Sequence, residues 1–244
     1  MGRDPAARRR RRGCLRWLGA AALLAVAWLG WRAATWPDVA ALATGNPDTT
    51  AFIERYRARQ KRAGASDAVA WRWVPYGRIS PHLKRAVLVA EDIGFFDHRG
   101  FAGEEIREAV RTAWRERELP RGASTLTQQV AKNLWLSPSR NPLRKLEEAL
   151  LTRQLERHLD KRRILEIHLN VAEFGPGVYG AEAAARHYFG TSAAGLSERQ
   201  AAELAAALPR PSTWHPGAGG RGYRRHVERI RGRMDKAQWL WKAI

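Results

Sequence analysis

The sequence predicts a mainly α-helical domain preceded by a single N-terminal transmembrane helix. Three observations predict it. An uncharged apolar run, Trp17 to Trp31, sits between Arg16 and Arg32, just after the basic run Arg8 to Arg12. From Ser80 onward, helix-start signals recur: Ser80-Pro81, Asn141-Pro142, and Ser197 with Gln200 three residues later. Only Val69 to Val74 carries an aromatic-rich, partly alternating pattern that suits a strand. A chain of 244 residues holds one ordinary globular domain beyond such a leader and leaves no room for a second large one.

The elements follow in order. Residues 1–13 form a basic tail and 14–36 a signal-anchor. The 15 residues from Trp17 to Trp31 rise about 22 Å, short of the ~30 Å hydrocarbon core. Snorkelling Arg16 and Arg32, with Trp17, Trp28, Trp31 and Trp36 at the interfaces, close the gap. Because the basic run comes first, the positive-inside rule leaves the N-terminus in the cytoplasm and the rest of the chain outside. A cleavable signal peptide, cut after Ala25-Val26-Ala27, is the competing reading, and it exports the domain equally. Residues 37–68 read as a juxtamembrane connector or a poorly packed helix with no assigned function. The domain proper is 69–244, with helices expected over Ser80 to about Asp92, Gly103 to Glu118, Ser124 to Leu136, Asn141 to His158, Lys161 to Val171 and Ala181 to Tyr188, and again after Ser197. Gly175, Gly177 and Gly180 break the chain between them. The basic tail from Arg221, with Trp239 and Trp241, reads equally as a membrane-surface segment or a plain surface helix.

The balance of 43 Lys+Arg against 24 Asp+Glu, a formal charge of +19, calls for an anionic partner. Export argues against nucleic acid and leaves a membrane surface or a phosphorylated substrate. Cys14 is the only cysteine, so an internal disulfide is excluded, as is a cysteine-built metal site. None of the seven histidines has the spacing of a zinc motif. His98, His168 and His187 read as structural hydrogen-bonding residues.

Two segments carry candidate chemistry. Glu91-Asp92-Ile93-Gly94-Phe95-Phe96-Asp97-His98-Arg99-Gly100 ends a helix in two carboxylates and enters an aromatic loop, where phenyl rings would desolvate Glu91 and raise its proton affinity. The plain alternative is an acidic pair in a surface turn. In Gly122 to Lys132, the residues Ser124, Gln128 and Lys132 fall at i, i+4 and i+8 and share a helix face beside free N–H groups, a cradle for a pyrophosphate or for sugar hydroxyls. A solvated polar stripe explains that spacing as well. Arg140 adds a cation, and Arg144 with Glu148 is an i, i+4 pair, usually surface decoration. Glu148 gains weight only if it faces Glu91, since glycosyl chemistry uses two carboxylates in unlike environments.

In these segments the sequence resembles the glycosyltransferase family 51 enzymes, above all their monofunctional biosynthetic peptidoglycan transglycosylases. The likeness runs from about Trp71 to Pro211 and rests on five blocks in order: Glu91-Asp92-x-x-Phe95-x-x-His98-x-Gly100; Gly122-Ala123-Ser124-Thr125-x-Thr127-Gln128-Gln129-x-x-Lys132-Asn133; Arg144-Lys145-x-x-Glu148; Lys161-x-x-Ile164-Leu165-Glu166-x-x-Leu169-Asn170; and Leu196-Ser197-x-x-Gln200-Ala201-Ala202-x-Leu204. It implies a lysozyme-like, two-lobed helical domain with a cleft, approached from the membrane. By matching position, Glu91 is the general base toward the acceptor's 4-hydroxyl and Glu148 the second essential carboxylate. Lys132 and Arg140 stabilise the departing lipid pyrophosphate, while Ser124 and Gln128 contact the donor. The remaining block residues, Asp92, Phe95, His98, Gly100, Thr125, Gln129, Asn133, Arg144 and Lys145, support the motif.

The implied substrate is lipid II, the implied product a β-1,4 glycan strand, and the implied place the bacterial inner membrane with the domain in the periplasm. Other synthases or division proteins are implied partners. No cofactor is required, and a divalent cation, Mg or Mn, assists some members. Three positions depart from the pattern: Ala123 for glycine, His168 for tyrosine and Gln200 for glutamate. Two rivals stand beside this reading. A lytic, lysozyme-like enzyme would share the fold and the glutamate but has no use for Ser124, Gln128, Lys132 and Arg140 as a phosphate-binding set. An anchored scaffold would survive loss of Glu91.

Overall fold

The computed structural model describes residues 23, 26, 27, 30–32, 34–101, 103, 124–139 and 141–244. They fall into two compact units, one ending at Asp38 and one beginning at Val39. In the first, Thr35 closes a helical turn by donating its hydroxyl to the Trp31 carbonyl at 2.9 Å. Among the described residues no helix is long and apolar enough to cross a membrane. Most of the expected anchor, all but Gly103 of the helix expected over Gly103 to Glu118, and Arg140 lie outside them.

The second unit is helical, as expected, with a minimal sheet. Helix α1 (Ala51–Arg62) starts where the Thr50 hydroxyl accepts from Ile53 N. Here the structure departs from the connector reading of 37–68. Ile53 is fully buried and clusters with Tyr56 and Tyr179, flanked by Phe52, Val69 and Trp71. Tyr179, the buried partner from outside the helix, arrives more than a hundred residues later in the chain, so the segment by itself looked unpacked. Strand β1 (Ala70–Trp71) is shorter than the pattern suggested. It pairs in parallel with β3 (Val178–Tyr179), which pairs antiparallel with β2 (Glu173–Gly175), giving the order β1-β3-β2. At the end of this ribbon Gly180 has φ +80°, and a Cβ there would lie 2.6 Å from the Asn170 carbonyl oxygen. Only glycine meets both conditions.

The capped helices form where their signals place them. Helix α2 (Pro81–Glu91) has proline in its first turn and Ser80 Oγ accepting from His82 N. Helix α3 (Leu126–Trp135) is capped by Thr125. Helices α4 (Pro142–His158) and α5 (Lys161–Val171) are capped by Asn141 and Asp160. Helix α6 (Ala181–Phe189) stops at left-handed Gly190. Ser197 and Gln200 form the expected capping box of α7 (Glu198–Ala207). Helix α8 (Arg221–Lys236) buries Tyr223, Val227, Ile230 and Met234, one stripe at helical spacing, against α7 and α2. The basic tail is therefore docked through its apolar face, and Arg221, Arg224, Arg225 and Arg229 are exposed. Helix α2 packs against α7 and α8, while α3 packs against α1, α4 and α5. The chemistry sits where the end of α2 meets the start of α3.

Candidate active site

Asp92 makes that junction. As the C-cap of α2 it is buried, and its carboxylate accepts from Leu126 N, the first residue of α3, at 2.9 Å. It also accepts from His98 Nε2 at 2.9 and 3.2 Å, while His98 Nδ1 accepts from Gly100 N at 3.1 Å. Those two roles select the tautomer with its proton on Nε2. Gly100 closes the loop with φ +82° so tightly that a Cβ would approach Thr152 Cγ2 to 2.8 Å, and its carbonyl accepts from Thr125 Oγ1 at 2.8 Å. Phe95 is fully buried, with the Lys161 ammonium 4.4 Å from its ring centroid. The first sequence block thus holds α2 and α3 in fixed register and leaves Glu91, at the last turn of α2, facing α3.

Glu91 is partly buried and, among the described residues, accepts one hydrogen bond, from Gln129 Nε2 at 2.8 Å. Burial pushes its carboxyl above the usual range; the Gln129 bond and the positive charge of Lys132 oppose this without cancelling it. Gln129 Oε1 meets His168 Nε2 on α5 at 3.1 Å. Burial also pulls the Lys132 ammonium below its usual value, and it is held up mainly by Glu148 and then by Glu91. One cation therefore lies within electrostatic reach of both carboxylates. Glu148 is itself buried, at 2% exposure, and pairs with both Arg144 and Lys145 on its own helix. The Arg144–Glu148 pair is accordingly largely buried and not surface decoration.

Part of the expected phosphate cradle is otherwise engaged. Helix α3 begins at Leu126, so Ser124 precedes the cap and stands outside the helical stripe. Gln128 is the third helical residue, and its Oε1 accepts from Thr125 N at 3.0 Å while its own N–H is taken by Thr125 Oγ1. The N–H groups of Leu126 and Gln128 are thus bonded within the protein, because the acidic loop and the capping box reach them first. Of the three residues expected on that stripe, Lys132 is the one at the carboxylates. Asn133 is buried on the same helix. Sequence reasoning missed the link from His168 through Gln129 to Glu91, for which the one signal was the unusual histidine. It also missed Phe52 of α1, whose ring centroid is 5.9 Å from Lys132 Nζ.

A cavity of about 830 Å³ opens beyond the acidic loop between Phe96, Arg99, Arg153 and Lys161. Its lining includes His98 but neither Glu91 nor Glu148. On α4 the side chains of Leu143, Leu146 and Leu150 are exposed in one stripe, on the helix that carries Glu148.

A desolvated carboxylate with raised proton affinity, a second carboxylate held by cations, and an ammonium within electrostatic reach of both make an arrangement that suits transfer of a group from an anionic leaving group. A family model described as Transglycosylase matches residues 51–235. Over 225 residues the chain is 47% identical to the biosynthetic peptidoglycan transglycosylase of Azoarcus sp. (strain BH72), covering 91% of this chain and 96% of that protein. The protein of the same name from Laribacter hongkongensis (strain HLHK9) is 44% identical over 223 residues, covering 91% and 97%. The chain belongs to the transglycosylase family.

Proposed function

We propose that this chain polymerises the peptidoglycan glycan strand from lipid II, with Glu91 as general base. The observation that carries the reading is the placement of Lys132 against both Glu91 and Glu148 in a largely desolvated setting. Glu91 takes the proton of the acceptor's 4-hydroxyl as that oxygen attacks C1 of the donor. The C1–O bond to the pyrophosphate breaks with its electron pair leaving on the phosphate oxygen, so the centre inverts and a β-1,4 link forms. Lys132, together with Arg140, stabilises the charge growing on the leaving group, and fixed charges in a dry site do this without reorganisation. Ser124 and Gln128 contact the donor in this reading, Gln128 through the amide nitrogen that its capping bond does not use. Among the described residues no cluster of three or more His, Cys, Asp or Glu side chains is placed to hold a metal ion, and no step here runs through one.

The exposed stripe Leu143, Leu146 and Leu150 supports a lipid-linked substrate, since it offers apolar surface beside the Arg144, Lys145 and Glu148 cluster. The apolar run Trp17 to Trp31 and its flanking arginines support an inner-membrane anchor with the N-terminus cytoplasmic and the enzyme periplasmic. Other synthases are candidate partners on the grounds of substrate alone.

The test incubates the detergent-solubilised chain with labelled lipid-linked disaccharide-pentapeptide. Wild type is expected to give polymer, and Glu91→Gln to bind the substrate without extending it. Polymer from Glu91→Gln would remove Glu91 as the base. Cleavage of preformed glycan with no polymerisation would turn the reading to a lytic enzyme.

A further inference from the structure

The amide of Gln129 has one workable orientation. Its Nε2 lies 2.8 Å from Glu91 Oε2 and 3.5 Å from the Ser124 carbonyl oxygen, and an ionised carboxylate and a carbonyl only accept. Its Oε1 therefore faces His168, 3.1 Å from Nε2, and that ring nitrogen carries the proton and donates. His168 is fully buried on α5, and this is the one hydrogen bond its ring makes among the described residues.

We propose that His168 is a positioning residue for the reaction: its Nε2–H pins the Gln129 amide with the NH2 group toward Glu91, so that the base is held in its proton-accepting form in spite of its burial. The inference rests on Glu91 being the base, as proposed above. A general base has to be ionised when the acceptor arrives, yet burial favours the protonated carboxyl. A donor fixed on the carboxylate offsets part of that cost. An unpinned amide offsets less, because rotation about its last bond presents the carbonyl oxygen to the carboxylate, and two acceptors repel.

A neutral imidazole suits this task better than a cation. Burial, and then Lys132, pull the His168 ring down to about 4, so at neutral pH it donates without bringing a positive charge that would weaken the base. The other charges felt by Glu91 come from separate elements: Lys132 on α3, Arg233 on α8 and Asp92 next in the chain. Lys132 and Arg233 favour the ionised carboxyl and Asp92 opposes it, and none of them orients the amide.

The experiment measures kcat/KM against pH for lipid II polymerisation by the full chain as wild type, Glu91→Gln, His168→Phe, His168→Tyr and Gln129→Met, with thermal melting of each. His168→Phe and Gln129→Met are expected to move the acid limb upward by about one pH unit, a roughly tenfold loss at a fixed pH on that limb. The high-pH plateau should change far less. His168→Tyr keeps a donor at the position and should return the limb toward wild type, a rescue that simple packing does not explain. Unmoved acid limbs in His168→Phe and Gln129→Met, with Glu91→Gln inactive, would overturn the role of His168 and leave Glu91 as base. Should His168→Phe lose its cooperative melt, Gln129→Met, which removes the bonds to both His168 and Glu91, and the volume-matched donor His168→Tyr decide together: an unmoved limb in Gln129→Met, or a limb in His168→Tyr displaced as far as in Gln129→Met, overturns the role of His168. An active Glu91→Gln would remove the base itself, and the inference with it.

Discussion

Glu91 and Glu148 sit on separate helices within electrostatic reach of the same lysine, Lys132, yet their surroundings treat them in opposite ways. At the end of α2, Glu91 has one direct partner among the described residues, a neutral amide, and its proton affinity is raised. In the first turns of α4, Glu148 is more deeply buried and is gripped by a guanidinium and an ammonium from its own helix. In the proposed reaction the difference suits one carboxylate to exchange a proton and the other to keep cations in place. It also shows how a single ammonium, Lys132, can serve both: Glu148 holds its charge in the desolvated site, and that charge tempers Glu91.

The sharpest way to break the comparison is to neutralise each carboxylate in turn. Glu91→Gln and Glu148→Gln are each expected to cost about a thousandfold or more in polymerisation rate, the scale of losing a group that acts in the transition state. Their melting temperatures should part. Glu91→Gln should melt at or above wild type, because a carboxyl with raised pKa costs stability wherever it is ionised. Glu148→Gln should melt lower, by about 2 kcal/mol, since buried partners lose their counter-charge; Lys145 is half exposed, which discounts the larger penalty of a fully buried pair. Equal melting shifts would show that the two sites are not electrostatically distinct.

Lys132→Met is expected to lose about a hundredfold to a thousandfold in kcat with a smaller change in KM. It should also move the acid limb upward, because the cation favours the ionised form of Glu91. A change in KM alone would assign Lys132 to ground-state binding.

Stability against pH sharpens the picture on the α5 side. The folded value for His168, about 4, lies below the ordinary 6.5, so the unfolded chain binds the extra proton first. Stability from this group is present in full above about pH 6.5 and declines as pH falls toward about 4, by up to about 3 kcal/mol. Denaturant melts of wild type and His168→Phe at pH 7 and pH 4.5 check this; the variant should lose less than wild type on acidification. The smallest effect is expected at Leu146→Glu. Exposed Leu146 should change stability by no more than about 0.5 kcal/mol. KM for the lipid-linked substrate should nevertheless rise, and an unchanged KM would separate the stripe on α4 from substrate approach.

Much of the fold was legible because its signals are local. Ser80-Pro81, Asn141-Pro142 and Ser197 with Gln200 gave helix starts that the structure keeps to within a residue or two. Glu91 was singled out as the end of a helix running into aromatics, and it stands there. The stripe through Ser124 was less secure: helical spacing says which residues would share a face, but the competition between a capping side chain and a ligand for the same N–H groups depends on what else reaches them. Here Asp92 and Thr125 do.

The sequence by itself determined the helix starts at Ser80, Asn141 and Ser197, the identity of the base candidate and the family resemblance, because each depends on residue types a few positions apart. Only the tertiary structure decided that α1 is part of the domain core, that Glu148 is buried between cations, and that His168 reaches Glu91 through Gln129. Gln129 joins Glu91 and His168 across 38 and 39 positions, Ile53 of α1 meets Tyr179 more than a hundred positions on, and the burial of Glu148 follows from packing. Proton affinity follows burial, so the chemistry of the site was fixed at the level of the fold.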